Sequence, residues 1–178
     1  DLKIKYSKLN HIQVVNADIL EINLKETYQL VISNLPYNIS SQIIVKLALL
    51  NKSPHKLILM FQKEFAERLL DRKINSINSL IRCFYDIKLS FNVSKNCFRP
   101  VPKVDSSVLV FSKKDKKLLK KGEVNDFIIF KRNLFSHKRK SLKNLLRQYQ
   151  LEKDFNLNLR VENLELATLI SIFRAVNS

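Results

Sequence analysis

The sequence predicts an α/β protein in which a doubly wound sheet is followed by a small all-α domain. Two patterns lead to this fold class. Up to residue 112, short apolar runs of strand length alternate with stretches of helical periodicity, as in the βα units of a parallel sheet. Beyond residue 113 the periodicity is helical, with no strand signal. We therefore assign residues 1–112 to the sheet domain and residues 113–178 to the helical domain.

The elements of the sheet domain are assigned in chain order. Apolar runs give the strands, and stretches with apolar residues three or four positions apart give the helices. The last two strands are expected to form an antiparallel hairpin at the end of the sheet. The predicted strands are 12–15, 29–32, 56–61, 87–93 and 107–111, and the predicted helices are 41–50, 63–70 and 77–84.

The helical domain follows a lysine-rich stretch, residues 113–121, that is typical of a linker. Three helical patterns come next, at 124–136, 140–150 and 163–176. A chain of 178 residues with 46% hydrophobic residues can bury a sizeable core. A parallel sheet that lacks its first βα units would expose an apolar edge and face, and we expect poor solubility on that account.

The most informative segment is Asn-Leu-Pro-Tyr-Asn-Ile-Ser, which follows a predicted strand directly. The Asn34 side-chain oxygen and a backbone carbonyl of Leu35 or Pro36 can accept the two hydrogens of an exocyclic amino group on a planar base. Acceptors placed in this way favour a pyramidal nitrogen whose lone pair can attack a methyl group. Pro36 fixes its own φ and restricts Leu35. Tyr37 offers a ring for stacking, which is worth about 1–3 kcal/mol per base.

A purely structural interpretation of the same segment is also open. Asn-Leu-Pro-Tyr can be a strand-to-helix turn in which Ser40 or Ser41 caps the following helix. A second segment, Phe-Arg-Pro-Val-Pro-Lys-Val-Asp-Ser at 98–106, bears on the choice. Its two prolines hold an extended loop that can present Phe98 to the opposite face of the base and Lys103 to a phosphate. Its own structural alternative is an edge loop with Phe98 in the core.

The charge of the chain is the second strong signal. The formal net charge is +16, and residues 113–147 carry thirteen basic against three acidic side chains. A stripe of one sign attracts a polyanion by counterion release. On the predicted helix 140–150, Lys140, Lys143 and Arg147 fall on one side, so we assign them with Arg139 as RNA contacts. A solvated charged face and a basic helix on a membrane surface are the alternatives.

Together these segments resemble one family, the ribosomal RNA adenine dimethyltransferases of the small-subunit (KsgA) type. The likeness runs in order through nearly the whole chain. The Asn-Leu-Pro-Tyr and Phe-x-Pro-x-Pro-Lys-Val pair is highly specific for the adenine dimethylases. The other matching segments are Val-Asn-Ala-Asp-Ile-Leu at 15–20, Phe-Gln-Lys-Glu-Phe-Ala-Glu-Arg-Leu at 61–69, His-Lys-Arg-Lys-Ser-Leu-Lys-Asn at 137–144 and Arg-Val-Glu-Asn-Leu at 160–164.

The resemblance implies a Rossmann-like class I methyltransferase sheet and a reaction. Two adjacent adenines near the 3′ end of small-subunit ribosomal RNA would each receive two methyl groups from S-adenosylmethionine. Asn34 with the Leu35 and Pro36 backbone would hold the adenine amino group, and Tyr37 and Phe98 would stack on the ring. Asp18 would contact the amino group of the cofactor's adenine, and Asn34 would border the cofactor as well. The expected partner is the RNA within a partly assembled ribosomal subunit, bound by a monomer.

One feature departs from the family pattern. The glycine-rich cofactor loop is missing, because the single glycine, Gly122, lies far downstream among lysines. We therefore expect the sequence to begin in the middle of an N-terminally truncated α/β domain. The alternative function is that of a non-catalytic RNA-binding or ribosome-assembly protein, or a relative resembling mitochondrial transcription factors, that lacks cofactor binding.

The remaining composition excludes several classes. Cys83 and Cys97 lack metal-ligand spacing and suit free thiols, and three scattered histidines predict no metal site. No apolar run approaches the roughly 20 residues of a membrane span. We expect a cytoplasmic protein, with an organelle as the alternative.

Overall fold

The structure, a computed structural model, describes residues 2–24, 27–149, 151 and 155–177. Its centre is a mixed sheet with the strand order β1–β2–β4–β3. β1 and β2 are parallel, and β4 is antiparallel to both of its neighbours, β2 and β3. The last four predicted strands are confirmed to within two residues at each end. The strands are β1 (Leu30–Asn34), β2 (Lys56–Gln62), β3 (Tyr85–Val93) and β4 (Ser106–Lys113).

The helices flank the strands and fill the C-terminal part of the chain. The predicted helices 63–70 and 124–136 are confirmed at both ends, and the first long helix begins and ends one residue earlier than predicted. The predicted helix 77–84 is reduced to one turn flanked by hydrogen-bonded turns. The helices are α1 (Leu2–Tyr6), α2 (Ser40–Leu49), α3 (Lys63–Leu70), α4 (Asn78–Ile81), α5 (Val124–Ser136), α6 (Leu142–Leu145) and α7 (Leu166–Val176).

One side of the sheet, which we call the covered face, carries the core. Leu57, Leu59 and Phe61 of β2 are fully buried there, and they lie opposite Phe111, Leu109 and Ser107 of β4. Phe65 of α3 packs on Phe61 at 5.3 Å between ring centroids, and Phe61 and Tyr85 both meet Phe111 edge to face. Burial of such rings supplies most of the stabilisation of a fold this size.

The other side, which we call the open face, carries apolar side chains that solvent reaches. Strand register places Ile32, Ile58 and Val110 in one row across it. The next row contains Asn34, Met60, Val108 and Phe91. Ile32 is 69% exposed and Phe91 56% exposed, and Leu30 on the same face is 45% exposed. The expected exposure of an apolar edge and face is therefore present in the structure.

The C-terminal helices pack on the same core. Phe173 of α7 contacts Phe127 and Phe130 of α5 at 5.3 and 5.6 Å between centroids. Lys131 of α5 is buried and donates from Nζ to the Ser76 carbonyl at 2.6 Å. Burial, more than the neighbouring Arg132 charge, lowers the pKa of Lys131 to about 8.

An ion pair fixes α7 to the turn that begins α5. Arg174 Nε and Nη2 donate to the two carboxylate oxygens of Glu123 at 2.8 and 3.1 Å. The Lys120 amide donates to the same carboxylate at 2.6 Å. These hydrogen bonds, led by that from Arg174, lower the pKa of Glu123 to about 2. The segment 113–121, predicted as a linker, is tied down here as well, because Arg174 also donates to the Leu118 carbonyl.

The predicted strand 12–15 is wrong. These residues form no strand, and Ile12 and Val15 are 40% and 56% exposed. A strand is stable only where a neighbouring strand accepts and donates its backbone hydrogen bonds. Within the described ranges, the outer edge of β1 pairs with no other strand. An apolar run without such a partner therefore stays irregular.

The predicted helix 140–150 is also wrong over most of its length. Of residues 140–149, only Leu142–Leu145 is helical. Residue 150, the last of the predicted helix, lies outside the described residues. The segment before it pairs with a distant stretch instead, through a bridge between Ser141 and Arg160 and a hydrogen bond from the Leu142 amide to the Leu159 carbonyl. Lys140, Lys143 and Arg147 consequently do not share one side of a continuous helix.

Candidate functional site

Asn34 is the last residue of β1, at the carboxyl end of the parallel pair. Ligands bind at this edge of open α/β sheets because strand ends and loops leave polar groups uncommitted there. The Asn34 side chain is exposed and, within the part of the chain that the structure describes, makes no hydrogen bond. Its amide is therefore available to a ligand.

The turn that follows Asn34 is held by its own hydrogen bonds. The Ile39 amide donates to the Pro36 carbonyl at 3.2 Å, and the Ser40 hydroxyl donates to the Tyr37 carbonyl at 3.1 Å. Leu35 is 3% exposed and anchors the turn in the core. The helix begins at Ser40, and no side chain caps it, so the serine cap of the purely structural interpretation is not formed. The serine closes the turn instead.

Tyr37 joins the two segments that the sequence pairs. Its hydroxyl lies 2.6 Å from the Ser106 hydroxyl, and either atom can donate. Ser106 ends the Phe-x-Pro-x-Pro segment and begins β4, which is separated from β1 by β2. Ser106 is fully buried, so its hydroxyl depends on this partner. One hydrogen bond thus brings residues 34–40 and 98–106 into direct contact.

Phe98 lies at the end of a 3-10 turn, Lys95–Cys97, and is half-buried. Its amide donates to the Lys95 carbonyl at 3.2 Å. The peptide bond between the following two residues, Arg99 and Pro100, is cis. Among the described aromatic pairs, neither Tyr37 nor Phe98 packs on another ring, and both side chains are half-buried.

Asp105 was not singled out from the sequence, yet it holds the loop. Its Oδ1 accepts the Lys95 amide at 2.9 Å, and its backbone carbonyl accepts the Lys63 amide at 3.0 Å. The loop is thereby fastened to the 3-10 turn and to the start of α3. An aspartate just before a strand is a common local capper, and that was the signal available in the sequence.

Asp18 lies in a turn before β1. Its Oδ1 accepts the Leu20 amide at 2.8 Å, so the carboxylate stabilises the turn. Lys46 of α2 donates from Nζ to the carbonyls of Leu20 and Ile22 at 2.8 and 2.6 Å and fixes the turn against the helix. This anchoring role of Lys46 had no sequence signal, because it depends on backbone atoms far along the chain.

A cavity of about 330 Å³ lies between this turn, β1 and α2. It is lined mainly by apolar side chains, with Tyr28 and Ser33 as polar groups. Cavities of this size and composition admit small molecules. Ile19, the neighbour of Asp18, belongs to its wall, so the Asp18 turn borders the cavity.

The basic residues predicted to contact RNA all lie on the surface. Arg139, Lys140, Lys143 and Arg147 are exposed, as is Lys103 in the Pro-x-Pro loop. Within the described ranges, none of the five makes an ion pair with an acid. Their charges are therefore unneutralised, which is the condition for binding phosphate.

Comparison with known proteins decides the family. The model of the ribosomal RNA adenine dimethylase family matches residues 1–177. The chain belongs to this family. Its site segments, Asn34 to Tyr37 and Phe98 to Ser106, lie within the matched region.

Several relatives share the family and are named as small-subunit enzymes. Ribosomal RNA small subunit methyltransferase A of Malacoplasma penetrans is 38% identical over 168 residues, which are 87% of this chain and 59% of the relative. The protein of the same name from Flavobacterium johnsoniae is 32% identical over 99% of this chain and 72% of its own length. A mitochondrial ribosomal RNA small subunit methyltransferase of Arabidopsis thaliana is 34% identical over 76% of this chain and 36% of its own length.

Two solved structures of RNA-modifying enzymes superpose on most of this chain. A dimethyladenosine transferase from Plasmodium falciparum superposes with a TM-score of 0.77 at 24% identity, covering 98% of this chain and 74% of that one. The 23S rRNA methyltransferase ErmE superposes with a TM-score of 0.74 at 20% identity, covering 99% of this chain and 77% of that one. The Rossmann-like methyltransferase fold is thereby confirmed. Within the described residues, no helix is long and apolar enough to span a membrane.

Proposed function

We propose that the protein transfers methyl groups to the N6 amino groups of two adjacent adenines near the 3′ end of small-subunit ribosomal RNA. The observation that carries this proposal is the 2.6 Å contact of Tyr37 with Ser106. It joins an uncommitted amide at a strand end to a stiff loop that carries an aromatic ring. These parts form what we call the base clamp, namely Asn34, Leu35, Pro36, Tyr37 and Phe98.

In the base clamp, Asn34 accepts one hydrogen of the adenine amino group. The Pro36 carbonyl already accepts the Ile39 amide, which leaves the Leu35 carbonyl better placed as the second acceptor. Tyr37 and Phe98 stack on the ring from two sides. Two acceptors make the amino nitrogen more nucleophilic without a general base, because its lone pair is drawn out of conjugation with the ring.

S-adenosylmethionine is the proposed methyl donor. The described residues fit the nucleoside end of it, since the Asp18 turn borders an apolar cavity and a carboxylate can accept a hydrogen bond from an adenine amino group. The donor supplies an electrophilic methyl group. The single glycine of the sequence, Gly122, has open space around the position of a Cβ and lies in the 3-10 turn before α5, outside the lining of this cavity.

RNA is held by the surface lysines and arginines of residues 113–178, which form the proposed RNA-binding part, while residues 1–112 carry the base clamp. Arg139, Lys140, Lys143 and Arg147 contact phosphates, and Lys103 contacts a phosphate beside the target base. We propose that the substrate is RNA within a partly assembled subunit, that the protein acts as a monomer, and that it acts in the cytoplasm.

A second candidate function is supported by the basic surface, where Arg139, Lys140, Lys143 and Arg147 are exposed and, within the described ranges, make no ion pair. A protein that uses the base clamp and this surface only for binding would take part in ribosome assembly without methyl transfer. The two candidates predict the same affinity for RNA. They differ in the fate of the adenine.

The test uses small-subunit RNA and S-adenosylmethionine carrying a labelled methyl group. We expect the wild-type protein to yield N6,N6-dimethyladenosine, detected by mass spectrometry of nucleosides. Asn34→Ala should lower transfer at least about 100-fold, as loss of a preorganised hydrogen-bonding group typically does, with RNA affinity changed less than twofold. Wild-type dimethylation by this variant would exclude the role of Asn34. Tight RNA binding by the wild type with no transfer would favour the second candidate.

A further inference from the structure

Beside the base clamp, three separate segments line a groove of about 430 Å³. Lys63 begins α3, Lys95 lies in the 3-10 turn, and Lys103 lies in the Pro-x-Pro loop. The acids of the groove are Glu64, Glu67 and Asp105. We call this surface the lysine groove.

The three lysines are exposed, and their ammonium groups are uncommitted. Within the described ranges, none of the three forms an ion pair or donates a side-chain hydrogen bond. An ammonium group that is not paired with a nearby carboxylate keeps its three N–H donors for an incoming anion. Three such groups on one groove offer separate donors to phosphates, while the three acids of the groove balance their formal charge.

Asp105 places two of these lysines relative to the loop. Its side chain accepts the Lys95 amide and its carbonyl accepts the Lys63 amide. These hydrogen bonds fix the backbones of Lys63 and Lys95, while their long side chains can change rotamer to contact a ligand. Asp105 is also the residue before Ser106, whose hydroxyl contacts Tyr37. Two adjacent residues, Asp105 and Ser106, therefore link the lysine groove to the base clamp.

We propose that the lysine groove binds the phosphates of the RNA strand that flanks the adenine in the base clamp. This inference rests on the proposed function for the location of the adenine. An extended single strand has a phosphate at every nucleotide, and separate lysines contact it as point charges. The three acids lower the local charge, so the groove positions the strand and adds only part of the total affinity.

The experiment measures binding of a fluorescein-labelled, single-stranded RNA of twelve nucleotides by anisotropy between 50 and 200 mM KCl. The variant is Lys63→Gln, Lys95→Gln and Lys103→Gln together. The matched control is Lys52→Gln, Lys56→Gln and Lys73→Gln, which removes the same charge from exposed lysines outside the groove. Each phosphate contact in a single strand contributes about 0.7 to the slope of log K against log salt. We expect the groove variant to lose about two units of slope and the control to keep the wild-type slope.

A second readout uses the two cysteines. Cys97 is exposed in the same 3-10 turn as Lys95, whereas Cys83 is buried, so a thiol reagent modifies Cys97 selectively. Saturating RNA should slow this modification at least fivefold in the wild type and in the control. The groove variant should show less than a twofold effect. Equal slopes for groove variant and control, or modification of Cys97 that RNA does not slow, would overturn the proposal.

The same RNA with purine ribonucleotide in place of each adenine separates the two proposals. Purine lacks the amino group that the base clamp would bind, so a preference for adenine tests the base clamp and leaves the salt slope untouched. Loss of the adenine preference with an intact difference between the lysine variants would contradict the proposed function and support the groove. A retained preference for adenine, with equal salt slopes for the groove variant and the control, would overturn the groove proposal alone.

Discussion

On the covered face of the sheet, Leu57, Leu59 and Phe61 are fully buried, whereas Ile32 and Phe91 on the open face are largely exposed. The same strands supply both sets of residues. β2 reads Lys-Leu-Ile-Leu-Met-Phe-Gln and is apolar on both faces, which is the composition of a strand covered on two sides. The covered face therefore carries the stability of the molecule, and the open face, on which Asn34 lies at the end of β1, carries its candidate chemistry.

The largest expected effect tests the covered face. Phe111→Ala removes a fully buried ring that contacts Phe61 and Tyr85, and we expect a loss of about 3–5 kcal/mol in the free energy of unfolding. Urea denaturation followed by circular dichroism measures it. Phe91→Ala on the open face is the control and should cost about 1 kcal/mol or less. Equal losses would abolish the distinction between the faces.

Lys131 tests whether the C-terminal helices are part of the covered core. Its native pKa of about 8 lies below the value of about 10.4 expected in the unfolded chain. Between these values the unfolded state binds more protons, so unfolding free energy rises with pH across that window. We expect a rise on the order of 1 kcal/mol between pH 7.5 and 9.5 that Lys131→Met lacks.

The comparison between wild type and Lys131→Met removes other titrations from this measurement. Burial raises the pKa of Cys83 and of Tyr85 to about 12, and these groups lower stability as pH rises above their unfolded values. Tyr85 is present in both proteins, and Cys83, whose pKa the Lys131 charge lowers, is replaced by alanine in both. The same pH dependence in both would show that Lys131 is hydrated in solution.

The hydrogen bond between Tyr37 and Ser106 tests whether the base clamp is joined to β4. Tyr37→Phe leaves the buried Ser106 hydroxyl without its partner, and we expect a loss of about 1 kcal/mol in unfolding free energy. A double-mutant cycle with Ser106→Ala should give a coupling of about 0.5–1.5 kcal/mol. Strictly additive effects would mean that the two segments are not joined in solution.

The smallest expected effect tests the open face directly. Ile32→Thr replaces a 69% exposed side chain by a polar one that also favours strands. Unfolding free energy should change by less than about 0.5 kcal/mol, as at exposed positions generally, while aggregation measured by light scattering should fall. A loss of 2 kcal/mol or more would show that another surface covers this face.

The same contrast explains what the sequence could predict. Helix 63–70 was predictable because its apolar periodicity matches burial on a single neighbouring layer, and strand 56–61 because it is a short, continuous apolar run. The base clamp was predictable as two segments, and Tyr37 and Ser106 bring them together. Strand 12–15 failed because a strand depends on a partner that periodicity does not reveal. Helix 140–150 begins two residues late because Ser141, just before it, pairs with Arg160.

Strand order has a consequence for how the chain reaches this structure. β2 is central, yet its pairing with β4 joins Lys56 to Ser112 and Gln62 to Ser106. Contacts so far apart in sequence slow folding, because the loop between them must be ordered before the ladder forms. During synthesis, β1 and β2 emerge long before β4 and lack a complete sheet for several seconds at ordinary elongation rates of about 5–20 residues per second. A chaperone that shields these strands until β4 arrives should therefore raise the yield of folded protein more than lower temperature alone.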